Sequence, residues 1–123
     1  MARKDELGRS GEQLAVDHLT AIGYTILDRN WRCSMGELDI VALDGATTVM
    51  VEVKTRSSVA FGHPLDAVTP RKLARLRRLA GAWCEAHARD VAVGGSVRPI
   101  RIDVIGVVSG RDGVAIDHVR QAC

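Results

Sequence analysis

Glu37-Leu38-Asp39-Ile40-Val41-Ala42-Leu43 and Thr47-Thr48-Val49-Met50-Val51-Glu52-Val53-Lys54 are the two runs on which the fold turns. Both are rich in β-branched residues, and a short loop carrying Asp44-Gly45 separates them, so together they read as a β-hairpin. Side chains alternate faces along a strand, which sets Glu37 and Asp39 on one side and Leu38, Ile40 and Ala42 on the other. The same count puts Glu52, Lys54 and Arg56 on one face and Val49, Val51 and Val53 on a core-facing one. The charged groups converge if the hairpin pairs in this way.

Upstream, Leu7, Gly11, Leu14, Ala15, His18, Leu19 and Ile22 recur at intervals of three and four, which predicts an amphipathic helix from about Asp5 to Ile22, ended by Gly23. Tyr24 to Trp31 is β-leaning and reads as a first strand, with Cys33-Ser34-Met35-Gly36 as the turn after it. Downstream, Ser57 to Asp66 has neither helical nor strand periodicity and reads as a loop. Thr69-Pro70 supplies an N-cap and a proline at the first helical position. The helix it opens carries Leu73, Leu76, Leu79, Ala80 and Trp83 as an apolar stripe, with Arg71, Arg75 and Arg78 on a different face. Gly94-Gly95 reads as a flexible break, and Pro99 to Val108 and Val114 to Val119 as two last strands.

The expected order is α-β-β-β-α-β-β in a single α/β domain over residues 1–123, with a mixed sheet flanked by helices. A length of 123 residues and an apolar fraction of 46% suit one ordinary core. No run approaches the ~20 apolar residues that span a bilayer, and the first residues are too polar for a secretory signal, so the expected place is the cytoplasm. Three scattered cysteines, Cys33, Cys84 and Cys123, form no C-x-x-C pair and read as reduced thiols. Four scattered histidines lack the spacing of a zinc-hydrolase helix and read mostly as surface or packing residues. The net charge of +2 decides little, but its distribution is uneven, with Arg71, Lys72, Arg75, Arg77 and Arg78 in one helix. Four aromatics are too few for a base-stacking platform, so a nucleic-acid partner would be held through its backbone.

An isolated Glu-x-Lys is most often an exposed strand face bearing a salt bridge. Asp39 changes that reading, because a neighbouring strand delivers a second carboxylate to the same place within the most apolar part of the chain. Uncompensated buried charge costs several kcal/mol, and a hard cation relieves it. Asp39 and Glu52 supply the oxygen ligands Mg2+ or Mn2+ prefers, with water completing the shell. Lys54 is then placed to orient or deprotonate an attacking water or to stabilise charge on a phosphate. Glu12 lies near the apolar stripe of the first helix and is a candidate third carboxylate; alone, it reads as a first-turn residue favoured by the helix dipole. Arg71, Lys72, Arg75 and Arg78, with Arg56, are candidate phosphate contacts, or else a solvated helix face.

Gly11-Glu12, Gly23-Tyr24, Arg29-Asn30, Gly36 to Ala42 and Val51-Glu52-Val53-Lys54-Thr55-Arg56 resemble the YraN family of bacterial proteins. The likeness continues through Gly62, Pro64, Ala67, Val68 and Lys72 to Arg101-Ile102-Asp103-Val104. That family is in turn similar to the PD-(D/E)-x-K nucleases with the restriction-endonuclease-like fold, above all to archaeal Holliday-junction resolvases, whose first helix carries a metal-site glutamate. The resemblance implies Glu12, Asp39 and Glu52 as metal ligands and Lys54 as the catalytic lysine of a Mg-dependent endonuclease acting on phosphodiester bonds, in particular of branched DNA. Ser34 resembles a resolvase loop serine, and Leu38 stands where the superfamily name has proline. The same fold also supports inactive nucleic-acid-binding and protein-interaction modules. The partner expected is nucleic acid, above all DNA, with no membrane; a homodimer is left open.

Overall fold

The structure, a computed structural model, describes residues 2–58, 60, 62–88, 92–93, 96–97, 99–111 and 113–120. Helix α1 (Ala2–Ala21) leads into strands β1 (Thr25–Cys33), β2 (Gly36–Asp44) and β3 (Thr47–Arg56). A 3-10 turn (Pro64–Ala67) precedes helix α2 (Pro70–Ala86), a small hairpin of β4 (Ala92–Val93) and β5 (Ser96–Val97), and strands β6 (Ile100–Gly110) and β7 (Gly113–Val119). The main sheet runs β1-β2-β3-β6-β7. β3 and β6 pair in parallel and every other pair in it is antiparallel. This is the α/β architecture and element order expected from the periodicities. Two features were not legible in them, the 3-10 turn within the 57–68 segment and the β4–β5 hairpin. Gly94 and Gly95, read as a break, lie outside the described residues.

The element boundaries have local causes. Gly23 adopts a left-handed φ of 97°, its N–H reaching Thr20 and that of Tyr24 reaching Leu19, the Schellman arrangement that closes a helix. α2 starts at Thr69, whose hydroxyl accepts from the Lys72 N–H, with Pro70 as its first residue. Gly45, at φ 60°, turns β2 into β3.

Each face of the sheet buries its own core. Ala15 and Leu19 of α1, with Tyr24, pack on Ile40, Ala42, Val49, Val51, Ile105 and Val107. Leu76, Leu79, Ala80 and Trp83 of α2 pack on Leu38, Val41, Met50 and Ile102 on the other side. Because both faces are covered, the segments Thr48–Val51 and Ile102–Val107 are buried without interruption and lose the alternation of a half-exposed strand.

One expectation is corrected by this packing. Leu38 was expected on the same side as Ile40 and Ala42, but it belongs to the α2 core while they belong to the α1 core. The reason is a break in the pairing of β2 with β3, which runs from Asp44 opposite Thr47 to Ile40 opposite Val51 and then stops. β2 turns away at Asp39, and strict alternation fails there. The acidic cluster therefore stands between the second and the central strand.

α1 approaches this region closely at Gly11. A Cβ there would lie 2.0 Å from the Thr55 hydroxyl oxygen and 2.9 Å from its Cβ, so only glycine lets the helix seat on β3 beside Lys54.

Candidate functional site

Where β2 leaves β3, the next main-chain partner of Val53 is missing. The Asp39 side chain takes its place, its Oδ2 accepting from the Val53 N–H at 2.9 Å. Asp39 is thereby pinned between the strands, half-buried. Glu52 and Lys54, on β3, form an ion pair at 3.4 Å and are mostly buried, with side chains 13% and 26% exposed. Burial pushes the Asp39 carboxyl up to about 8; the charge of Glu52, a hydrogen bond shared with Glu52 and the more distant charge of Glu12 act in the same direction, against the Val53 N–H. The two carboxyls thus act on one another, and Lys54 pairs with Glu52 beside them.

Glu12 does not join that group. Its Oε1 accepts from Asn30 Nδ2 at 2.9 Å and meets Arg29 Nη2 at 3.4 Å. Among the described residues, no three His, Cys, Asp or Glu side chains gather closely enough to form a ready-made metal cage. Glu37 is also elsewhere, bound to Arg32 at 2.6 Å beside the β1–β2 turn. Arg56 is exposed, its Nη1 turned back to the Thr55 carbonyl. Ser34 is exposed in that turn.

Arg71, Arg75 and Arg78 are exposed along α2 and Lys72 is half-buried. The Arg75 guanidinium lies close to Gly36, where a Cβ would be 3.7 Å from its nitrogens. Gly36 is three residues before Asp39, about 10 Å along an extended strand. The basic helix therefore reaches the strand that carries Asp39.

A second polar centre escaped the sequence reading. Asp103, fully buried on β6, accepts from Arg101 Nε at 2.8 Å and Nη2 at 3.1 Å, and from the Tyr24 hydroxyl at 3.1 Å. It also lies 2.7 Å from His118 Nε2, and His118 Nδ1 lies 3.1 Å from His18 Nε2. Arg101 extends the network to Asp44 at 3.0 Å. Burial leads in lowering His18, helped by His118 and Arg120, and it also leads in raising Tyr24. The only sequence signal was Arg101-x-Asp103 on one strand face.

The raised Asp39 carboxyl makes stability depend on pH. A carboxyl that titrates higher in the fold than in the open chain favours the fold in its protonated form, so that contribution is complete below about pH 4 and is lost as pH rises towards 8. Asp39→Asn should therefore gain stability relative to the parent as pH rises from 5 to 8, by an amount on the order of 1–3 kcal/mol. Metal-free urea melts at both pH values check this.

Residues 11–107 match the sequence profile described as "Uncharacterised protein family UPF0102". A "UPF0102 protein" of Clavibacter michiganensis subsp. michiganensis is 50% identical over 124 residues, covering all of both chains. One from Beutenbergia cavernae is 53% identical over 98% of each chain, and one from Acidothermus cellulolyticus 52% identical over 97% of this chain and 94% of its own. The glycine, acidic-strand and Arg-x-Asp motifs that resembled YraN proteins therefore have a plain explanation: this chain belongs to the UPF0102 family.

Proposed function

We propose that the chain is a divalent-metal-dependent endonuclease, acting in the cytoplasm on the phosphodiester bonds of nucleic acid, in particular branched DNA. The observation that carries this reading is Asp39, pinned to the Val53 N–H, beside the Glu52–Lys54 ion pair of the same strand segment where β2 parts from β3. Two neighbouring carboxylates, one of them disfavoured as an anion, are a donor set that a hard cation relieves. Mg2+ is commonly held by one or two carboxylates plus water and substrate phosphate, so a pair with no third close ligand among the described residues fits it. A bound metal supplies charge for the phosphate and an acidified water. Asp39 and Glu52 would hold it, and Lys54 would orient the water or neutralise the phosphate.

The basic face of α2, with Arg56, supplies contacts to flanking phosphates, which fix position without reading sequence. Binding should weaken steeply with salt, and Arg71→Ala with Arg75→Ala should reduce the log–log salt slope by roughly one unit per lost contact. Fluorescence anisotropy between 50 and 300 mM KCl measures this; an unchanged slope places the surface elsewhere. The test of the activity itself is cleavage of branched, flapped and linear DNA and RNA with Mg2+ or Mn2+, with chelator as control.

A binding module without turnover is the second reading. What favours it is Glu12, whose carboxylate is engaged by Arg29 and Asn30 and, among the described residues, forms no three-carboxylate group with Asp39 and Glu52. Metal-independent binding with no cleavage of any substrate would select it.

A further inference from the structure

Asn30 is the one residue other than glycine, among those described, with a left-handed backbone, at φ 54°. It sits inside β1, where side chains normally require extended φ, and Asn is one of the few residues that tolerates the left-handed region. Its neighbours fix where it lies: Arg29 pairs with Ile40 and Trp31 with Leu38, so Asn30 is opposite Asp39. Opposed residues of an antiparallel pair have Cα atoms about 5 Å apart. From that position Asn30 Nδ2 donates to Glu12 Oε1 at 2.9 Å, and Arg29 reaches the same oxygen and also Gln13 Oε1, at 3.2 Å.

An unfavourable backbone conformation persists only where surrounding structure holds it, and such positions cluster at functional sites. Here the consequence is specific. An extended Asn30 would alternate like its neighbours, whereas the left-handed turn re-aims its amide at α1. Glu12 sits next to Gly11, the point where α1 touches β3 at Thr55. Helix, first strand and central strand are thus tied together around Asp39 by one left-handed residue and one close glycine contact.

We propose that Asn30 is a positioning residue for the acidic site: its left-handed backbone aims the side-chain amide at Glu12 and, with Arg29, holds that carboxylate beside the Asp39–Glu52 pair. In this arrangement Glu12 acts from the surrounding shell, accepting hydrogen bonds from water at the site, and does not itself need to be a ligand. The inference rests on the metal-dependent reading above. Groups that orient water and ligands around a metal change its affinity by about 10–100-fold when removed.

The test uses the full chain and Mn2+ alone as probe, with affinity by calorimetry and stability by melting. Asn30→Gly removes the amide and accepts the left-handed φ, so it should melt within a few degrees of the parent while its Mn2+ affinity falls about 10–100-fold. Asn30→Ala removes the amide without adding charge and should weaken Mn2+ equally, at the cost of some stability from a Cβ in the left-handed region, covering the case in which the glycine variant is too flexible to judge. Glu12→Ala should match Asn30→Gly, and the double variant should be no weaker than either single one. Parent-like affinity in both Asn30 variants, or additive losses in the double variant, overturns the positioning role while leaving the Asp39–Glu52 site intact. A parent that binds no Mn2+, indistinguishable from Asp39→Ala, overturns the metal reading itself and the positioning role with it.

Discussion

Lys54→Ala should lower metal-dependent phosphodiester cleavage by about 10²–10⁴-fold, the range typical of losing a group that moves a proton or stabilises charge in the transition state. Nucleic-acid and Mn2+ binding should stay near the parent values, because the ammonium's task arises mainly after substrate and metal are in place. The fold should be kept. The partner of Lys54 is Glu52 at 3.4 Å, and its mostly buried carboxylate loses a charged partner, so the loss should stay within about 1–3 kcal/mol. Asp39→Ala should lose cleavage too, by a different route. It removes the carboxyl that burial and Glu52 push up to about 8, so the metal-free variant should be as stable as the parent, or more so, at pH 8. Mg2+ should raise the melting temperature of the parent and of Lys54→Ala but not of Asp39→Ala, since a ligand stabilises only the native state that binds it. Melting and cleavage of the three proteins side by side decide the matter. An Asp39→Ala chain that unfolds, from a parent with neither metal response nor activity, would show that the acidic cluster serves folding.

Asp103→Ala should be the most damaging single substitution for stability, at about 3–5 kcal/mol, because it strands buried partners and not merely a contact. Arg101 would keep Asp44 and the Tyr24 hydroxyl but lose its two contacts to Asp103, and Tyr24 and His118 would lose the acceptor they share. The hydrogen bonds it donates to Asp103 are the leading reason the Arg101 guanidinium is held charged even more firmly than usual. A domain of this size has about 5–15 kcal/mol in total, so the melting temperature should fall on the order of 10–20 °C. Asp103→Asn, which keeps the shape but not the charge, should fall between the two. Calorimetry in the absence of metal and nucleic acid checks this, and a loss below about 1 kcal/mol would mean that the network is solvated in solution. His18, held below its ordinary value, adds a mild pH effect of opposite sense to Asp39: its contribution is present above about pH 6.5 and is lost as pH falls further.

Much of this protein was determined by its sequence alone. Period 3.6 in the first helix, β-branched runs around Asp39 and Glu52, the Thr69-Pro70 cap and Gly23 settle the elements, because helix and strand periodicity, capping and left-handed turns are local properties of the chain. The facing of Glu52 and Lys54 against Val49 and Val51 follows from the same period of two. Only the tertiary structure decided the rest. Leu38 and Ile40 enter opposite cores because β2 parts from β3 at Asp39, and alternation predicts faces only while a strand keeps its pairing. Glu12 meets Asn30, eighteen residues on, because one left-handed residue re-aims an amide. Asp103 gathers Tyr24, 79 residues away, because α2 returns the chain to lay β6 parallel to β3 and bring both strands under α1. Periodicity tells each residue which way to face, but which charges then meet is set by sheet order and register, and those are properties of the whole chain.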